Sequence, residues 1–208
     1  MNYTELTTNI EDICENTFTA AQLAMFVQQT EQSIYNIVQF PALRKNCVGT
    51  TTSGNKYLSV PSDFLYTHSV AVISGTDYIY LLPKDSNFIR EAYPNPATEG
   101  TPKHYGQFDE DSYILGPTPD SDYSVEIHYG YYPESIVTAT NTWLGDNFDS
   151  VLLNGSLVEA LRFMKGEEDL VAMYDKMYIQ AIGLLKTLGD GKLRQDSYRA
   201  GQVSVAVS

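Results

Sequence analysis

The sequence predicts an α+β protein: a helical bundle built from both ends of the chain, with an antiparallel β-sheet (a sandwich or open barrel) inserted between them. Three observations carry this. Apolar residues recur at three- and four-residue steps near each end of the 208-residue chain. From Gly54 to Pro133 the period falls to two. Gly, Pro, Asn and Asp punctuate that middle stretch at short intervals. The expected division is 1–50 and 142–190 for the bundle, 51–141 for the β insertion, and 191–208 for an extended C-terminal arm.

The first long helix is predicted over 17–38, where Leu23, Phe26, Val27, Thr30, Ile34, Ile37 and Val38 form one stripe. Thr17 or Thr19 is placed to cap it, and Pro41 blocks its continuation. A shorter helix is expected over 3–13. In the middle stretch, strands are expected at 57–60 and 69–73, in "TDYIYLLPKD", and between His104 and Tyr131, with "AYPNPATEGTP" as a loop. The segment "YILGPTPDSDYSVEIHYGYYP" at 113–133 reads as a strand, a tight turn and a second strand. In it Val125, Ile127 and Tyr129 share one face, and Ser124, Glu126 and His128 the other.

After Trp143 the helical period returns. Asp146 or Asn147 is expected to cap a helix lined by Phe148, Val151, Leu152, Gly155, Val158, Leu161 and Arg162, which Gly166 interrupts. A second helix starts in the acidic turn Glu167–Asp169 and is expected to stop at Gly189 or Gly191. Its stripe of Leu170, Met173, Tyr174, Met177, Tyr178, Ala181, Leu184, Leu185 and Leu188 is long enough to pack on two neighbours. Two amphipathic helices joined this tightly form an antiparallel pair, and the helix at 17–38 supplies the third member.

Charge narrows the function. The chain holds 26 Asp and Glu against 13 Lys and Arg, a net charge of −13. Residues 1–160 hold 6 basic and 20 acidic groups, whereas 161–208 hold 7 and 6. A body this acidic repels a phosphate backbone, because affinity for nucleic acid comes mostly from Lys and Arg releasing counterions. "MNYTELTTNIEDIC" has neither the basic nor the apolar region of a signal peptide, and no segment approaches the roughly 18 consecutive apolar residues of a membrane span. Cys14 and Cys47 lie far apart with no CxxC arrangement, so they read as buried thiols of a protein made in a reducing cytoplasm.

Catalytic and cofactor signatures are missing. His68, His104 and His128 have no metal-ligand spacing. No Gly-rich loop follows a strand to open a helix, and no GxSxG elbow occurs. Asp109, Glu110 and Asp111 are adjacent carboxylates that a solvated turn explains. The last stretch, "KLRQDSYRAGQVSVAVS", is basic and ends in alternating valines, a pattern suited to adding a strand to a partner's sheet.

One ordered set of motifs carries a resemblance: "YLSVPSDFLY" (57–66), "GTPKHYGQF" (100–108), "ILGPTPDSDYSVEIHYGYYP" (114–133), "TWL" (142–144) and the closing helix pair. In this order, across about residues 17 to 190, they resemble the head-to-tail adaptor proteins of tailed bacteriophages, the gatekeeper or tail-tubular connectors seen mainly in short-tailed phages. The resemblance implies a structural virion protein of the neck, not an enzyme, with no cofactor and no metal. It implies a ring, typically a dodecamer, between the portal protein and the tail nozzle or other tail proteins. Packaged DNA passes through such a ring without specific binding, and no membrane is involved. The basic C-terminal segment, which matches no family motif, fits the family's habit of inserting its tail into the portal. The residues expected to touch the portal are Lys192, Leu193, Arg194, Tyr198, Arg199, Val203 and Val205. Two other readings stay open: a tail-completion or nozzle protein of the virion, and a small tail-associated glycosidase using Asp109, Glu110 or Asp111.

Overall fold

The computed structural model describes the backbone of residues 1–193 and the side chains of residues 1–189. Its chain divides into two compact units. One is formed by Met1–Leu43 with the chain from Tyr132 onward, the other by Arg44–Tyr131. The architecture is α+β, and its sheets do not close into a barrel.

The helical unit contains α1 (Tyr3–Cys14), α2 (Ala20–Ile37), α4 (Ile136–Ala139), α5 (Trp143–Asn147), α6 (Asp149–Met164) and α7 (Glu168–Leu193), plus a 3-10 turn at Pro41–Leu43. Both N-terminal helices open with reciprocal caps. In α1, Glu5 N–H donates to Asn2 Oδ1 and Asn2 N–H to the Glu5 carboxylate, each at 2.9 Å. In α2 Thr19 and Gln22 repeat the device. Leu6, Ile10, Phe26, Val27, Ile34, Leu144, Val151, Leu152 and Leu185 then share one core. The terminal amine of Met1 donates to Gly145 O at 2.8 Å, and Tyr3 N–H to Thr140 O at 3.0 Å, which tie the start of the chain to α4 and α5.

Two expected helix boundaries change here, and the interruption expected at Gly166 holds. Asp146 and Asn147 do not cap α6: they end α5, which Thr142 caps, and α6 starts after Phe148 without a side-chain cap. The turn into α7 places Lys165 in the left-handed region (φ 56°), with Gly166 N–H donating to Leu161 O at 2.9 Å. And α7 does not stop at Gly189 or Gly191, but continues to Leu193. Gly189 is buried where a side chain would run into the carbonyl of Gln39, so that glycine serves a close approach and not a helix end. Lys192 and Leu193, expected at the head of an extended arm, are therefore the last residues of α7. Arg194, Tyr198, Arg199, Val203 and Val205 lie outside the described residues.

The β unit is a two-sheet sandwich. Its strands are β1 (Arg44–Thr50), β2 (Tyr57–Ser59), β3 (Tyr66–Ser74), β4 (Asp77–Tyr80), β5 (Leu82–Pro83), β6 (His104–Gln107), β7 (Ser112–Gly116) and β8 (Ser124–Gly130). One sheet runs β1-β8-β3-β4, the other β2-β7-β6-β5. All pairs are antiparallel except β5 with β6, which is parallel, so the second sheet is mixed. Val70, Val72, Val125, Ile127 and Tyr129 from the first sheet share a core with Leu58, Tyr105, Tyr113 and Leu115 from the second. The expected alternation in β8 holds, with Val125, Ile127 and Tyr129 buried.

The expected hairpin at 113–133 is not one. β7 pairs with β2 and β6, whereas β8 pairs with β1 and β3. Residues 117–123 thus cross from one sheet to the other. Pro117 and Pro119 have no N–H to give a ladder. The carbonyls of Gly116, Thr118 and Pro119 accept instead from Lys103 (2.9 Å), Gly100 (2.8 Å) and Gly54 (2.8 Å). Two elements go beyond the sequence expectation. Residues 44–50, expected with the helices, form β1 along the edge of β8. Residues 86–92 form α3 (Ser86–Ala92), capped by Asp85, whose carboxylate accepts from Asn87 N–H at 2.8 Å.

Candidate contact surfaces

Opposed residues of a ladder share a face, so the pairings define the outer face of the first sheet. Val48 faces Glu126, Glu126 faces Ala71, and Ala71 faces Tyr80 across four strands. The next row joins Thr50, Ser124, Ile73 and Tyr78. Val48 and Tyr80 are 66% and 64% exposed, and Tyr66 and Tyr78 are also exposed. Aromatic side chains of this kind supply contact area with few rotors to order. His68 falls at a register shift in β3, its ring 5.0 Å from that of His128. Burial, then Arg44 and His128, hold His68 below the usual histidine range. Its buried Nε2 has no hydrogen-bond partner among the described residues.

A second apolar surface runs along α7. The predicted stripe divides: Ala181 and Leu185 turn into the core, Tyr174 and Tyr178 pack against it, and Leu170, Met173, Met177, Leu184 and Leu188 stay exposed. These five repeat at near-heptad steps, and Leu184 is 68% exposed. Within the chain the stripe packs on α6 and reaches α2, where the Tyr178 hydroxyl donates to Ser33 Oγ at 3.2 Å, while its other side stays exposed.

The remaining sequence candidates have structural roles. Asp109 turns the chain between β6 and β7, accepting from Asp111 N–H at 3.0 Å and Ser112 Oγ at 2.7 Å. Pro117, Thr118 and Pro119 are buried, which leaves Asp120–Asp122 as the exposed tip of the crossover. His104 Nδ1 lies 3.2 Å from the Tyr93 hydroxyl. Cys14 and Cys47 are free and half-buried, and burial raises both thiols above their usual range. Among the described residues no three His, Cys, Asp or Glu side chains gather as they would to hold a metal ion, and no helix is long and apolar enough to cross a membrane.

Paired sheets, a helical unit made from the N-terminal and later helices, and exposed apolar faces in each define an α+β protein that offers contact surfaces. The family model described as SU10 adaptor protein matches residues 1–206, and the chain belongs to that family. It is a structural head-to-tail adaptor protein of a bacteriophage virion, in agreement with the resemblance carried by the motifs. No curated protein matches the chain.

Proposed function

We propose that this adaptor forms a closed ring between the portal protein and the tail nozzle, and that the ring is a passage for DNA. The family match over residues 1–206 is the observation that carries this reading. The exposed faces supply its physical basis. A ring is built from heterologous contacts that need two different lateral surfaces on each subunit. The exposed α7 stripe and the aromatic face of the first sheet are two such surfaces, on different units. Acidic groups face the bore and the outer rim in this arrangement, since like charges on lateral contacts oppose closure and an acidic bore lets DNA slide.

In this reading the portal contact is made by Lys192 and Leu193 at the end of α7 and by Arg194, Tyr198, Arg199, Val203 and Val205 beyond it. Deleting residues 194–208 spares α7 and tests this step. The truncated protein is expected to keep its circular-dichroism spectrum and melting temperature and to lose co-sedimentation with purified portal. Undiminished co-sedimentation would remove residues 194–208 from the portal contact while leaving the ring assignment to be judged by imaging.

A further inference from the structure

We infer that a cleft on the helical unit, between α2 and the segment leading into α4, is a socket for an arginine side chain of a partner protein. The cleft has a volume of about 220 Å³ and is lined by Gln28, Glu31, Gln32, Tyr35, Tyr132 and Ser135, together with Pro133. Glu31 lines it although the residue is only 3% exposed. One carboxylate oxygen accepts from Ile136 N–H at 2.9 Å, and Ser135 gives a side-chain hydrogen bond. Both donors are neutral. A carboxylate has room for about four hydrogen bonds, so these two do not exhaust it.

The charge around this group is unusual. Buried charges are normally paired, yet Glu31 has no cationic partner among the described ion pairs. The sequence explains why: residues 1–43 and 132–161 hold nine carboxylates and no Lys, Arg or His. The helical segments that build the cleft cannot supply a counter-charge of their own. Burial accordingly holds the Glu31 carboxyl above its ordinary range, and an arriving cation would return it to the ionised form.

The walls select which cation. The rings of Tyr35 and Tyr132 are stacked with centroids 6.3 Å apart, and the Tyr132 hydroxyl donates to Asn36 Oδ1 at 2.5 Å, which fixes that ring across α2. Gln28 and Gln32 add side-chain amides to the lining. The exposed Tyr132 ring, backed by buried Tyr35, with two glutamine side chains and one buried carboxylate, matches a guanidinium, which is planar, weakly hydrated and able to stack while it donates in its plane. An ammonium is a strongly hydrated point charge and gains less from the rings. The socket does not depend on the chain forming a ring.

The test uses the full-length protein labelled with ¹⁵N and titrated with N-acetyl-arginine amide. Saturable amide shifts confined to residues 28–36 and 132–136 are expected, weaker ones with N-acetyl-lysine amide, and none with the neutral isostere N-acetyl-citrulline amide. Glu31→Gln keeps an acceptor for Ile136 N–H and should weaken arginine binding about tenfold or more, the scale of a charge-assisted hydrogen bond. If that variant unfolds, Tyr132→Leu removes one ring face and is expected to weaken binding as well. The inference is overturned if arginine gives no saturable local shifts, if citrulline matches arginine, or if binding survives both substitutions. Failure here leaves the portal experiments unaffected.

Discussion

Glu31 and two helical glycines show how much single side chains decide. Because burial raises the Glu31 carboxyl, the folded protein holds that proton to higher pH than the unfolded chain does. Stability therefore falls as pH rises from the ordinary Glu range through the raised value, and it stays lower above it. Glu31→Gln should flatten this slope and raise the urea midpoint at neutral pH, with little effect below the ordinary Glu range. Unchanged pH dependence would mean that Glu31 is not the group responsible. Gly155 and Gly183 look alike in sequence, each inside a helix. At Gly155 a side chain would strike the Thr30 methyl and the Tyr178 ring, whereas at Gly183 nothing lies near. Gly155→Val is expected to cost about 2 kcal/mol through overpacking, and Gly183→Ala to gain about 0.5–1 kcal/mol by restricting the unfolded chain. Urea unfolding of the two variants checks both signs.

At the level of elements, what could be read in the sequence followed the length and regularity of the pattern. α2 announces itself through its apolar stripe and the Thr19 cap, and β8 through its alternation of Val125, Ile127 and Tyr129 with polar residues. β1 escapes because "RKNCVGT" lines an edge, is mostly exposed and has no clean alternation. α3 is seven residues with one fully buried side chain, Ile89, too short for a helical period to show; Asp85 as a cap was its only signal. The crossover at 117–123 misled for a physical reason. Prolines and a polar tip describe a hairpin turn and an inter-sheet connection equally well, and only the loops at 51–54 and 100–103 decide between them. The exposed part of the α7 stripe could not be told from its buried part, since both have the same residue types. The α6–α7 turn offers a direct check on local energetics. Lys165 stands in the left-handed region where glycine is favoured, so Lys165→Gly should stabilise by about 1 kcal/mol, read as a rise in urea midpoint.

For the whole molecule, charge and contact surface have to be reconciled. Subunits of net charge −13 repel one another when gathered into a ring, so closure requires apolar contacts of sufficient area. The described residues provide candidates in Leu170, Met173, Met177, Leu184 and Leu188 on one unit and Val48, Tyr66, Tyr78 and Tyr80 on the other. In the proposed ring the same acidity would keep nucleic acid from adhering to the walls of the passage. Electron microscopy of the purified protein mixed with its portal is the most direct test of the connector assignment. The expected images show a closed ring of this chain seated coaxially on the portal. Portal particles without added density, together with this protein remaining free in solution, would contradict it.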